Sequence, residues 1–312
     1  GVWGTTKDLH KQFGRDRGFD TPLSEDAVTG IAIGAALAGL RPIHVHIRMD
    51  FILLAMNQLI NIAAKARYMY GGAVGVPIVV RAVIGRSWGQ GAQHSQGLQS
   101  FFMHVPGLKV VAPSTPYDTK GCLVQAIRDN DPVIFVEHRM LHAQKSHVPE
   151  ELYAVPFGKA RMLRPGDDVT LVGISYMALE CLRAARHLEA IGISAEVIDP
   201  VTLVPLDTES IAASVRKTGR LVVVDTDWTN CGAAAEIASQ VVERLQGERE
   251  TRIARMGYEP VTCPPTKSLE RLFYPNPQTI AARAFSLIYG GKKSWTPSEE
   301  IAPEIIEFKG PF

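Results

Sequence analysis

Three short clusters in the chain combine residue types that could do chemistry. Asp20-Thr21-Pro22-Leu23-Ser24-Glu25 is a proline-punctuated turn that puts a carboxylate at the start of a helix. Glu25 could exchange a proton there, or simply complement the positive end of the helix dipole. Met49-Asp50-Phe51 sets a polar side chain beside an aromatic one just after an expected strand. Phe51 alone reads as core. Gly89-Gln90-Gly91-Ala92-Gln93-His94-Ser95-Gln96 is a polar, glycine-rich loop containing a histidine. Loops of that kind are where sites are commonly built. One histidine is by itself a weak signal.

The elements that must position these groups follow from the surrounding pattern. Ser24 suits the N-cap of a helix, and Asp26 suits its first turn. Gly30, Gly34 and Ala38 recur every four residues, giving that helix a bare face. Such a face costs helix propensity, which close approach of another helix offsets. The Gly-x-x-x-Gly spacing is wrong for a dinucleotide loop, and no acidic residue follows at the right distance. Residues 43–47 alternate as a strand, 52–70 read as a largely buried helix, and 76–80, 109–111 and 132–136 as buried strands. Residues 116–129 are helical, with Pro116 at the start. Residues 137–157 lack periodicity and read as an interdomain linker. Beyond them, strands are expected at 169–174, 195–198 and 221–224, with helices near 176–190, 207–217 and 232–246. This alternation predicts an α/β protein with two parallel-sheet domains, 1–155 and 156–290. An extended arm over 291–312, carrying Pro297, Pro303 and Pro311, completes it.

Composition narrows the classes. Of 312 residues, 33 are basic and 32 acidic, for a net charge of +1. No basic excess points to nucleic acid. No apolar run approaches the roughly 18 residues of a membrane span. Cys122, Cys181, Cys231 and Cys263 lie far apart with no C-x-x-C pair, so free thiols in a reducing, cytoplasmic compartment are expected over disulfide or zinc roles. The chain opens at Gly1 rather than Met, and no signal peptide is visible.

Taken together, the clusters and their flanks resemble the beta subunits of the thiamine-diphosphate-dependent 2-oxo acid dehydrogenases, a transketolase-like family that includes pyruvate, branched-chain and acetoin enzymes. The resemblance runs through Thr21-Pro22-Leu23-Ser24-Glu25, Gly30-Ile31-Ala32-Ile33-Gly34-Ala35-Ala36 and Ala38-Gly39-Leu40-Arg41-Pro42. It continues in Asn61, Ala63-Ala64-Lys65, Tyr68-Met69-Tyr70-Gly71-Gly72 and Gln93-His94-Ser95-Gln96. Pro106-Gly107-Leu108-Lys109-Val110-Val111 and Ala126-Ile127-Arg128-Asp129 follow, then Glu196-Val197-Ile198-Asp199-Pro200, Thr202-Leu203-Val204-Pro205-Leu206-Asp207 and Cys231-Gly232 with Ala235-Glu236-Ile237. Order and spacing hold over roughly residues 1–288.

The resemblance implies a pyrimidine-binding domain followed by a transketolase C-terminal domain, with thiamine diphosphate held between two chains. An alpha subunit, in an α2β2 heterotetramer, would grip the diphosphate through Mg²⁺ with a Gly-Asp-Gly segment. Here the nearest match, Gly166-Asp167-Asp168, fails at its third residue. Alone, the chain is therefore expected to be inert. Glu25 aligns with the glutamate that hydrogen-bonds the cofactor's pyrimidine ring, Phe51 with the aromatic residue stacked on it, and Ile47 with a position beside it. His94 aligns with the loop histidine facing the reacting carbon, to stabilise charge or assist acyl transfer. Ile78, Ala126, Asp129 and Asp131 align with positions that hold a monovalent cation such as K⁺ in some relatives, mostly through backbone carbonyls. The implied reaction decarboxylates a 2-oxo acid and passes the acyl group to lipoamide, on a lipoyl acyltransferase core where such a complex exists. The bare-faced helix would pack on the partner chain or a symmetry mate.

Departures from the family pattern gather near the expected pocket: Arg48 and Met49 before Phe51, Leu54, the basic stretch Glu137-His138-Arg139-Met140-Leu141-His142, and Val201. Arg48 or Arg86 could receive a carboxylate or phosphate, or lie at the surface or an interface. These departures keep open a two-chain transketolase-like carboligase acting on a sugar or ketone. A non-catalytic scaffold is the third reading, against which the joint presence of Glu25, Phe51 and His94 speaks. Members of the family carry a further helix and strand ahead of the position of Gly1, so the natural start is expected upstream.

Overall fold

The computed structural model describes residues 4–85 and 89–298. Its first half runs α1 (Leu9–Phe13), α2 (Glu25–Leu37), β1 (Ile43–His46), a helical run ending in α3 (Ala64–Met69), β2 (Val79–Ile84), α4 (Gln99–Met103), β3 (Lys109–Val111), α5 (Pro116–Arg128) and β4 (Val133–His138). The second half holds β5 (Arg161–Arg164), β6 (Val169–Gly173), α6 (Tyr176–Glu189), β7 (Ala195–Asp199), β8 (Thr202–Val204), α7 (Thr208–Thr218), β9 (Arg220–Trp228), α8 (Ala233–Leu245), β10 (Arg252–Tyr258), α9 (Lys267–Phe273) and α10 (Pro277–Ile288).

The apolar, β-branched runs of β2, β4, β6 and β9 occupy the interior of two five-stranded sheets, ordered β1-β2-β4-β3-β8 and β10-β9-β6-β7-β5. The expected α/β architecture of two sheet domains stands, with β8 added to the first sheet and β5 and β10 to the second. β8 pairs antiparallel with β3, and β5 antiparallel with β7; every other pairing is parallel. β8 belongs to the second half of the chain yet completes the first sheet. Its three residues are too short for a readable period. β1 pairs only with β2 and lies at a sheet edge.

Local chemistry explains the helix ends. α5 has Pro116 in its first turn, and Thr115 Oγ1 accepts from Asp118 N at 3.0 Å. α7 starts on Asp207, which accepts from Ser210 N, and stops at Gly219 with φ 70°. Ser24 does precede α2, but its side chain makes no capping bond. The helix expected over 52–70 is a composite. It is tight and 3₁₀-like over Met49–Ala55, widens to a π-helix over Asn57–Ala63, and becomes α-helical only afterwards. Apolar spacing cannot distinguish these pitches over seven residues.

One apolar core passes from Ile33, Leu59, Val80 and Ile134 of the first half to Ile198, Val223 and Ile237 of the second. Polar groups cross the same seam. The fully buried Asp199 accepts from Ser114 N (3.2 Å), Ser114 Oγ and Val201 N (2.7 Å), and burial pushes its carboxyl up to about 7. The stretch expected as a linker over 137–157 is in part structural: β4 runs to His138 and a buried 3₁₀ turn follows over Arg139–Leu141. Its later part is fastened to α5, where Lys120 Nζ donates to the carbonyls of Pro149, Glu150 and Glu151. The start of the C-terminal arm folds back on α10. Trp295 lies 5.4 Å from Phe285, and Gln278 donates to the Pro297 carbonyl at 3.2 Å. Pro303 and Pro311 lie outside the described residues.

Gly97, between the His94 loop and α4, touches β9. A Cβ built there would sit 1.8 Å from the Thr226 carbonyl oxygen. Gly97→Ala is therefore expected to destabilise the protein by about 2–4 kcal/mol, read as a lower urea midpoint.

Candidate active site at the carboxyl ends of the first sheet

The loops that follow β1, β2 and β4 meet at one end of the first sheet, where parallel α/β sheets place ligands. From the first loop come Ile47, Arg48, Asp50 and Phe51; from the second, the His94 loop; from the third, Arg139. Phe51 and His94, both half-buried, are in edge contact at 5.2 Å between ring centroids. Asp50 Oδ1 accepts from Gln96 N (3.2 Å) and Gln96 Nε2 (2.9 Å), tying the first loop to the second. Burial raises the Asp50 carboxyl against the pull of those bonds. Arg48 and Arg139 are buried, and burial lowers their guanidinium groups to about 10 and about 9 respectively, Arg48 adding to the effect on Arg139. Arg48 thus does not lie at the surface of this chain. Arg86 lies outside the described residues.

Glu25 is half-buried at the first turn of α2, beside the end of β1. Its carboxylate is close enough to act on the imidazole of His44, which burial otherwise pulls down. His44 Nε2 is buried without a hydrogen-bond partner. The His44 and His46 rings meet edge-on at 4.4 Å, and His46 Nε2 lies 3.4 Å from Thr29 Oγ1, one turn along α2 from Glu25. The alternation of His44 and His46 marked a strand in the sequence; that His44 sits beside Glu25 and His46 beside Thr29 was not visible there.

The side of α2 away from the core is uncovered in this chain. A Cβ on Gly34 would meet nothing within 4 Å, whereas Gly30 faces the Gln58 side chain. Leu23, Ile31 and Tyr68 are 95%, 71% and 91% exposed. Each such side chain stabilises by about 1.5–3 kcal/mol when covered, and a patch of this kind marks an interaction surface.

Ile78, Ala126, Asp129 and Asp131 lie elsewhere, around the starts of β2 and β4, at the opposite end of the sheet. The Asp129 carboxylate takes Lys109 Nζ at 2.7 Å, and Asp131 takes Lys109 and Arg67. Arg41 donates to the carbonyls of Ile127 (2.9 Å) and Asp129 (2.8 Å).

Sequence reasoning also missed a polar joint beneath the loop. Gln99 donates to Asp225 at 2.9 Å and Ser100 to Asp227 at 2.8 Å. Burial raises both carboxyls, and Asp225 raises Asp227 further. The one available signal was an Asp-Thr-Asp run directly after the apolar Leu221-Val222-Val223-Val224.

Residues 1–144 match the transketolase pyrimidine binding domain, and 158–280 the transketolase C-terminal domain. The beta subunit of acetoin:2,6-dichlorophenolindophenol oxidoreductase from Cupriavidus necator is 48% identical over 94% of this chain and 86% of its own. The pyruvate dehydrogenase E1 component subunit beta of Porphyra purpurea is 40% identical over 94% and 88%. The chain belongs to the family of acetoin and pyruvate dehydrogenase beta subunits. A solved split-gene transketolase, an inactive beta4 tetramer, superposes with a TM-score of 0.75 at 22% identity, covering 92% of this chain and 88% of that one, which supports the fold alone.

The family depends on thiamine diphosphate, and this beta subunit fits one half of that cofactor. A half-buried carboxyl, an aromatic ring and an unpartnered buried imidazole nitrogen are groups that suit the aminopyrimidine end. Among the described residues no group of three or more His, Cys, Asp or Glu side chains could hold a metal ion.

His46 gives a pH test of this packing. Burial, aided by His44, drops its imidazole to about 3, so between pH 6.5 and 3 the unfolded chain binds a proton that the folded chain does not. Stability is expected to fall with pH across that window, by up to about 1.4 kcal/mol per unit from this group. His46→Phe should flatten that slope in urea melts at pH 7, 6 and 5.

Proposed function

We propose that this chain supplies the pyrimidine-side half of a thiamine diphosphate site and, with an alpha subunit in an α2β2 assembly, cleaves the C–C bond beside the carbonyl of a small 2-oxo acid or of acetoin. The acyl group then passes to a lipoyl carrier. The observation that supports this most directly is the convergence of Phe51 and His94 at the carboxyl end of the first sheet, with Glu25 acting on His44 of β1. When bound, the cofactor supplies a carbon nucleophile and a ring that takes up the electrons released on bond cleavage. Glu25 would share a proton with the aminopyrimidine, Phe51 would stack on that ring with Ile47 beside it, and His94 would meet charge developing on the substrate oxygen. Mg²⁺ would come with the alpha subunit and its phosphate-binding segment.

Arg48, one of the departures that keep the carboligase reading open, is buried. The four thiols, all free, suit a reducing compartment such as the cytoplasm, and no helix of the described residues is long and apolar enough to cross a membrane. A monovalent cation at Ile78, Ala126, Asp129 and Asp131 belongs to the same proposal. Carbonyl oxygens have two lone pairs, so Arg41 and a cation can share them.

Co-expressed with its alpha subunit and given thiamine diphosphate and Mg²⁺, the protein is expected to reduce 2,6-dichlorophenolindophenol with pyruvate, a branched-chain 2-oxo acid or acetoin. CO₂ release separates decarboxylation from acetoin cleavage. No turnover across that panel would remove the proposal, and C–C bond formation dependent on an aldehyde acceptor would replace it with the carboligase. Glu25→Gln should lower kcat by about 10²–10⁴-fold in an assembly of unchanged size on gel filtration. Replacing Na⁺ by K⁺ should raise the thermal midpoint of the wild type, and an identical midpoint in both salts would delete the cation site.

A further inference from the structure

We infer that Arg139 is a positioning residue whose buried guanidinium holds the loop carrying His94 in register with the site, an inference that rests on the role of His94 proposed above. The turn it occupies is anchored from both sides to the second half of the chain. His138 stacks on Tyr176 at the start of α6, with ring centroids 4.7 Å apart, and its Nδ1 accepts from Met140 N at 3.2 Å. Met140 is buried in the second half's apolar core. Gly85, at the end of β2, leaves room for this arrangement: a Cβ there would fall 2.5 Å from the His138 ring.

The Arg139 side chain reaches the other way, into the first half, with 0% exposure. Nη2 donates to the His94 carbonyl at 3.0 Å, and Nη1 donates to Gln90 Oε1. One planar fork therefore ties two points of the loop four residues apart, a geometry the single ammonium of lysine does not reproduce. The ends of the loop are fixed by other means. Gly89 N donates to Glu270 Oε2 at 3.3 Å, and Gln96 is held by Asp50. Arg139 fixes the middle, where His94 sits.

A buried guanidinium is costly to desolvate, and an apolar residue of similar size would fill the space. What the guanidinium adds is orientation. It grips His94 by the main chain and leaves the imidazole edge-on to Phe51, on the side of the site. Because the turn belongs mechanically to the second half, the placing of His94 is coupled to the docking of the two halves. An error of about an ångström at a reacting group costs on the order of a hundredfold in rate.

The test uses the complete alpha–beta assembly with Arg139→Lys, Gln90→Ala and His94→Ala. Amide hydrogen exchange over residues 89–97 is read in the protein without substrate, and kcat and KM are read with the dye assay. Arg139→Lys is expected to speed loop exchange about tenfold or more and to lower kcat about tenfold, with KM changed less than about threefold. Gln90→Ala, at a half-buried position that does not threaten the fold, should act in the same direction by about threefold. Wild-type loop exchange and kcat in both variants would overturn the inference. So would exchange that rises equally over β4 and α6, with kcat and KM falling together, because that is general destabilisation. His94→Ala separates the two readings: an unchanged kcat there removes the role of His94. A defective His94→Ala beside a wild-type Arg139→Lys removes only the role of Arg139.

Discussion

Polar and charged groups can be buried between two domains only where each finds a partner, because an unpaired carboxyl or guanidinium in a dry seam costs several times what a hydrogen bond contributes. The seam of this chain is built under that constraint. Asp199 is met by Ser114 and a backbone amide, Asp225 by Gln99, and Asp227 by Ser100. Each pairing specifies one relative placement of the two sheets. The apolar core that runs through the same seam supplies attraction without direction. Register comes from the polar pairs, and the site depends on register, since its histidine sits on a loop stapled to both halves.

This division of labour explains why half a site can be made in advance. Phe51 and His94 are placed by elements that need no partner: a 3₁₀ turn on the first sheet, and a loop tied by Asp50, Glu270 and the turn after β4. Glu25 is different. It stands at the rim, on a helix whose outward face is apolar and bare. In the proposed function, its desolvation would come from a second chain closing over that rim.

The legibility of the chain follows the range of the interactions. β2, β4, β6, β7 and β9 stood out because buried parallel strands are near-continuous β-branched runs. β5 and β8 did not, being three- or four-residue antiparallel edges with no period to show. The π-helical widening over Asn57–Ala63 left the apolar pattern intact and so stayed hidden. For the site, local chemistry gave only bland readings of Glu25 and Phe51, and it was the ordered resemblance over nearly the whole chain that selected them. The Arg139–His94 and Asp50–Gln96 contacts join residues 45 and 46 apart. No local periodicity encodes such a pairing, and only the order of strands in the sheet creates it.

The uncovered flank of α2 has a consequence for the cell that makes this protein. Leu23, Ile31 and Tyr68 in water are the features by which chaperones and proteases recognise an orphan. A surface of that kind would leave a copy without a companion open to quality control, and in the proposed assembly the same surface would tie the amount of one polypeptide to that of the other.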